Sequence, residues 1–296
     1  MPIIENPVTV SLDKILLATD FSPSAEKAAA YAKALAKRFL STVEVAHIFD
    51  PSVVICPEDA TLGYTAEMKE HLCAETIERV RDDFTLSRIK AIAVARKGHS
   101  PAHDLVELAK KDKADLVVTG TASHTGLGRL ILGSTAEGLI RNATCPVLTV
   151  GPNAAPAPED KPLVFERIIY ATDFSPEAAK AAVFALSFAQ DSGSRLLLCY
   201  VDAATPPKTP VNILVDAAFK EALRRLVPEA SYDWCNPEFV VEHGEAATAI
   251  LGLAERVKAD LIVLGARKAS FWLTHFERRL TPNLLAQAGC PVMTVC

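Results

Sequence analysis

Two short segments in the first half of the chain carry residue types suited to holding a phosphorylated sugar. One is Ala18-Thr19-Asp20, which closes an apolar run beginning at Lys14. A carboxylate at the carboxyl end of a strand can accept hydrogen bonds from a ribose diol. An aspartate there serves equally well as a turn or helix-capping residue, and spacing alone leaves both roles open. The other is Gly120-Thr-Ala-Ser-His-Thr-Gly-Leu-Gly-Arg-Leu-Ile-Leu-Gly-Ser134. Gly120 leaves a strand, Gly126 and Gly128 loosen the loop, and Gly133-Ser134 opens a helix in which Ser134 and Glu137 are spaced as a capping box. A glycine before a helix N-terminus lets backbone N–H groups approach phosphate oxygens, where the helix dipole favours negative charge. The Ser134 hydroxyl could donate to the same oxygens and Arg129 could add a cation. The alternative is a helix cap and ordinary turns, since a glycine-rich loop alone is a weak signal.

Other constellations carry less. His99 and His103 have helix-face spacing for a metal, but His99 precedes the proposed Ser100 N-cap and no third ligand is placed by the sequence. His71-Leu72-Cys73 lacks a defined partner. No nucleophile elbow, full P-loop or zinc-protease helix occurs, so no catalytic residue and no metal ligand is assigned.

The elements that would position these residues repeat within the chain. Lys14–Pro23 recurs as Arg167–Pro176, Lys113–Gly120 as Lys258–Gly265, and Cys145–Val150 as Cys290–Val295. Three blocks in the same order indicate a duplicated domain. The predicted boundaries are a first domain at 1–151, a linker at 152–165 that is stiff and rich in proline and alanine, and a second domain at 166–296. In the first copy the pattern predicts strands at 14–19, 42–48, 89–95, 115–119 and 146–150. Helices are expected at 24–39, 65–86, 101–111 and 134–142, with Ser22-Pro23 and Ser100-Pro101 as starts. Strands separated by helical stretches imply an α/β fold: two tandem doubly wound domains, each a five-stranded, mostly parallel sheet flanked by helices.

Composition bounds the rest. The 296 residues suggest two domains at about 150 residues each, and 50% hydrophobic with 23% charged residues excludes a disordered chain. The net charge of −5 argues against a nucleic-acid partner, and no apolar run approaches the roughly 18 residues of a membrane span. Seven scattered cysteines and no visible secretory signal read as reduced thiols in a cytoplasmic protein.

The Ala-Thr-Asp-Phe-Ser opening, His47 near the end of the second strand, the Ala114–Gly120 strand, the glycine loop and the closing Cys-Pro-Val strand together resemble the universal stress protein (UspA-like) family. The resemblance covers nearly all of both copies. It implies a stress-response binding protein that holds ATP or another adenine nucleotide, with Mg²⁺ accompanying ATP. The family signature is glycine, two residues, glycine, nine residues, then glycine and serine or threonine. Gly120 matches its first position and Gly133-Ser134 its last pair, while Ser123 stands at the middle glycine. The ribose-contacting aspartate maps to Asp20 and the apolar residue beside adenine to Ile48. In the second copy Lys268 stands at the middle glycine and Arg278-Arg279 at the final pair, which makes it a degenerate site. There Asp173 is expected to be structural, and Phe271, Trp272 and Phe276 could fill the vacated pocket. The resemblance further implies pairing of Val147–Val150 with Val292–Val295, a pseudo-dimer within one chain, and leaves room for a homodimer. The competing functional readings are a slow ATP hydrolase on the same fold and an interaction module independent of nucleotide.

Overall fold

The computed structural model describes residues 9–52, 66–121, 132–159, 163–203, 210–265 and 283–296. In the first half, strands β1 (Lys14–Ala18), β2 (Thr42–Phe49), β3 (Ala91–Lys97), β4 (Leu116–Gly120) and β5 (Val147–Val150) alternate with helices α1 (Pro23–Phe39), α2 (Ala66–Leu86), α3 (Pro101–Lys111) and α4 (Ser134–Asn142). The second half carries β6 (Arg167–Ala171), α5 (Pro176–Ser192), β7 (Arg195–Asp202), α6 (Pro210–Arg224), β8 (Asn236–His243), α7 (Ala246–Val257), β9 (Leu261–Gly265) and β10 (Val292–Val295). Residues 283–287 are also helical. The expected first-copy elements are present; β3 begins two residues later than the apolar pattern suggested.

Local chemistry explains the starts. Ser22 Oγ accepts from the Ala25 N–H at 3.3 Å and Ser175 Oγ from the Ala178 N–H at 3.2 Å, each followed by a proline whose missing N–H costs the first turn nothing. Two expected caps are corrected. Ser100 occupies the N-cap of α3 but makes no side-chain cap bond. The N-cap of α4 is Gly133 rather than Ser134, because the Gly133 carbonyl already accepts from the Glu137 N–H at 3.0 Å. Ser134 is therefore the first helical residue, and Glu137 pairs with Arg141 instead of closing a box.

The ten strands of the described residues form one sheet in the order β3-β2-β1-β4-β5-β10-β9-β6-β7-β8. Neighbours run parallel except at the centre, where β10 lies antiparallel to β5 with Val292 opposite Thr149 and Met293 opposite Leu148. Strand order reverses between β1 and β4 and again between β6 and β9, the two switch points of a doubly wound sheet. The central strands are buried on both faces, as parallel strands under helices must be. One face carries α1, α2, α5 and α6 over a continuous apolar cluster that runs through both halves. The other carries α3, α4 and α7 over a second such cluster.

The described residues of the segment between the copies pack against the domains. Ala154, Ala157, Leu163 and Phe165 are buried. Tyr31 donates to the Ala155 carbonyl at 3.0 Å, Lys27 to Pro152 at 2.6 Å, and Arg38 to Leu163 at 2.6 Å. Across the seam, Phe39 meets Phe188 edge-on at 5.8 Å, and Phe165 meets Phe188 at 5.6 Å. Among the described residues no helix is long and apolar enough to cross a membrane.

Candidate functional site

The first-copy switch point lies where the carboxyl ends of β1 and β4 stand side by side, Ala18 opposite Thr119. The chain leaves β1 through a tightly bonded turn. The Phe21 N–H donates to Thr19 Oγ1 at 3.1 Å while Phe21 takes a positive φ of 61°, and the Ser22 N–H donates to Asp20 Oδ1 at 3.0 Å. The Ser22 hydroxyl donates to the same oxygen. Asp20 therefore braces the turn that caps α1, yet its side chain is exposed at the strand edge. Asp20 Oδ2 takes no protein partner among the described residues.

Ile48 is buried in β2, in one apolar cluster with Ala18, Leu132 and Ala136. That shared cluster brings Ile48 to the side of the sheet where α4 begins. His47, one residue earlier, faces the opposite side, since successive strand residues alternate. Its ring lies 4.4 Å from that of Phe21, and its Nδ1–H donates to the Thr19 carbonyl at 2.8 Å, the only role that nitrogen can take toward a carbonyl. Burial pushes the His47 pKa below the usual range; the Thr19 carbonyl and Asp20 carboxylate pull it partly back.

Gly120 has a packing reason of its own. A Cβ added there would lie 2.5 Å from both the carbonyl carbon and oxygen of Ser24. The same holds at Gly265, where a Cβ would lie 2.4 Å from the Ala178 nitrogen. In the two copies this glycine lets the first turn of α1 and of α5, respectively, lie on the strand end, so its presence in the second copy needs no ligand. Gly133 has φ −62° and ψ 143°, which any residue adopts. The α4 N-terminus carries no side-chain cap there, in contrast to α1, α5 and α7. Directly after β4, Thr121 is buried and its hydroxyl has no hydrogen-bond partner among the described residues. A buried hydroxyl without a partner and an uncapped helix N-terminus both fit a group rich in acceptor oxygens. Ser123 and Arg129 lie outside the described residues. The sequence reading did not single out Thr121, which is visible only once its burial is known.

The second copy repeats the turn and changes its surroundings. The Phe174 N–H donates to Thr172 Oγ1 at 3.0 Å, Phe174 has φ 60°, and the Ser175 N–H donates to Asp173 Oδ1 at 2.9 Å. Tyr200 stands where His47 stands, with Phe174 at 5.2 Å and Phe219 of α6 stacked at 4.1 Å. Phe271, Trp272, Phe276, Lys268, Arg278 and Arg279 lie outside the described residues. The metal spacing of His99 and His103 resolves into separate contacts: His99 Nδ1 lies 3.2 Å from Asp50, and His103 Nδ1 lies 3.8 Å from Asp104. His71 lies 3.3 Å from Glu75 on the same helix face.

The model of the universal stress protein family matches residues 11–151 and again residues 165–295. A universal stress protein of Methanocaldococcus jannaschii is 36% identical over 138 residues, 46% of this chain and 81% of that protein. One from Thermus aquaticus is 35% identical over 138 residues, 46% of this chain and 96% of that protein. Among solved structures, a universal stress protein from Archaeoglobus fulgidus superposes with a TM-score of 0.71 at 19% identity, covering 97% of each chain. With both halves matched by one family model and the full length matched by one fold, the chain belongs to the universal stress protein family and carries two copies of its domain.

Proposed function

We propose that the first copy binds an adenine nucleotide, ATP or a relative with Mg²⁺ accompanying ATP, and that the second copy is a degenerate partner. Occupancy then sets the conformation or partner choice of a non-enzymatic, cytoplasmic stress-response protein. The observation that carries the reading is the α4 N-terminus, left without a side-chain cap, at the same sheet edge as Asp20. Asp20 would accept from the ribose through Oδ2, Ile48 would cover the base, and the N–H groups following Gly133 would meet phosphate oxygens, with Thr121, Ser123, Ser134 and Arg129 as further donors. Hydrolysis is the weaker reading, because His47 faces the other side of the sheet and its Nδ1–H is committed to Thr19.

The test uses the thermal response to ATP and Mg²⁺, with Asp20→Ala beside Asp173→Ala. Both variants lose the same turn brace and should lose the same basal stability. At nucleotide a hundredfold above Kd, the native protein should gain about 2.7 kcal/mol, roughly 5 °C in Tm. Asp173→Ala should keep that gain and Asp20→Ala should lose it. A native protein without a gain would refute nucleotide binding and favour the interaction module. Product accumulating with time would favour the hydrolase.

A further inference from the structure

The central seam sets two cysteines against each other. In the antiparallel register of β5 and β10, Val292 faces Thr149, Met293 faces Leu148 and Thr294 faces Val147. Cys145 sits in the bend two residues before β5 and Cys296 directly follows β10, so the register counted on by two residues would set Cys296 opposite Cys145. If the ladder geometry carries on past the last paired residues, the two Cα atoms would lie about 4.5–5.5 Å apart on the same face, within the roughly 4.4–6.8 Å that a disulfide spans. Both cysteines pack on the same apolar cluster, the one beneath α3, α4 and α7, both are partly exposed, and neither is in a disulfide. Cys296 Sγ donates to the Ile140 carbonyl at 3.0 Å, and the Cys145 thiol responds electrostatically to Cys296.

The mirror position shows that the pairing is one-sided. The counterpart of Cys145 is Cys290, and that of Cys296 is Gly151. A Cβ at Gly151 would lie 2.6 Å from the Leu285 carbonyl, the counterpart of the Ile140 carbonyl that Cys296 contacts. Only one of the two related sites therefore holds a thiol pair.

We propose that Cys145 and Cys296 form a reversible disulfide on exposure to peroxide, a redox-controlled staple across the seam that joins the two halves. Burial pushes the Cys145 thiol up to about 11, so it stays protonated near neutrality, and the proposed sequence begins with deprotonation of the Cys296 thiol. The Cys296 thiolate forms an S–O bond with hydrogen peroxide as the O–O bond breaks, and the departing hydroxide takes a proton to leave as water. The Cys145 sulfur then bonds to the Cys296 sulfur as that S–O bond breaks, and the second hydroxide leaves as water with the Cys145 proton. Two thiols lose two electrons and the peroxide gains them; a thiol reductant reverses the change.

The test treats the reduced full-length protein with hydrogen peroxide, blocks remaining thiols with N-ethylmaleimide, and maps peptides by mass spectrometry. The expected result is a cross-linked peptide pair containing Cys145 and Cys296, two hydrogens lighter than the separate peptides and restored by dithiothreitol. Tm should rise by about 5 °C on oxidation, and the rise should disappear in Cys296→Ser, a partly exposed position that tolerates the change. Both cysteines alkylated or carried to sulfinic acid without a cross-link would overturn the pairing. A cross-link without a shift in Tm would overturn the staple.

Discussion

Replacing Gly120 by alanine separates a packing glycine from a phosphate-cradling one. The added Cβ would lie 2.5 Å from the carbonyl carbon and oxygen of Ser24 and 2.8 Å from the Ala25 nitrogen. Ordinary carbon contacts sit near 3.5–4.0 Å, so α1 must withdraw by about 1 Å. It cannot yield locally, because the atoms it would strike are backbone. They belong to a turn tied by the Ser22 cap and by the Glu26 N–H to the Ser22 carbonyl at 3.0 Å. Moving α1 disturbs its buried alanine face and the packing across the seam, including Phe39 on Phe188. Overpacking of this kind costs about 1–3 kcal/mol, and a backbone obstacle puts Gly120→Ala at the upper end, about 3 kcal/mol or roughly 6 °C in Tm. Gly265→Ala, with a contact of 2.4 Å to the Ala178 nitrogen, should cost about the same. Scanning calorimetry without nucleotide is the assay. A Gly120→Ala protein with unchanged Tm and a lost response to ATP would refute the argument and return Gly120 to the phosphates.

Two other expectations concern the turn residues and pH. Leu40 caps α1 with φ 57° and is 90% exposed, whereas Gly193 caps α5 with φ 60° at the equivalent place. A left-handed non-glycine residue costs about 1–2 kcal/mol, partly offset by glycine's greater freedom when unfolded. Leu40→Gly should therefore stabilise the protein by about 0.5–1 kcal/mol in urea titrations, and a lower denaturation midpoint would count against it. His47 is held below its ordinary value by burial, so the unfolded chain binds its proton first as pH falls. Its contribution is complete above about pH 6.5 and is lost as pH drops from there toward the folded pKa. Melting curves between about pH 7 and pH 5 should show this slope, and His47→Gln should flatten it. Glu44, raised by burial, acts in the opposite sense at lower pH; an unchanged slope in His47→Gln would assign the effect elsewhere.

Much of this molecule is written locally. Ser22-Pro23 and Ser175-Pro176 start helices because a side-chain oxygen and a fixed φ act within one turn, and the runs of buried strand residues announce a covered parallel sheet. The repeat and the fold class follow from those short-range signals, as do Asp20, Ile48 and Gly120 as residues at strand ends. Their roles do not. Asp20 and Asp173 share a turn-bracing bond that no spacing distinguishes from a ligand contact, and Gly120 is required by the first turn of α1, at Ser24, nearly a hundred residues earlier in the same copy. Thr121 becomes a candidate only through burial. The ten-stranded sheet depends on β5 meeting β10 in one antiparallel register, and the proposed pairing of Cys145 with Cys296 depends on it in turn. Residues so far apart in sequence are brought together by ladder hydrogen bonds and by two apolar faces seeking cover at once, a condition satisfied by the assembled chain and by no segment of it.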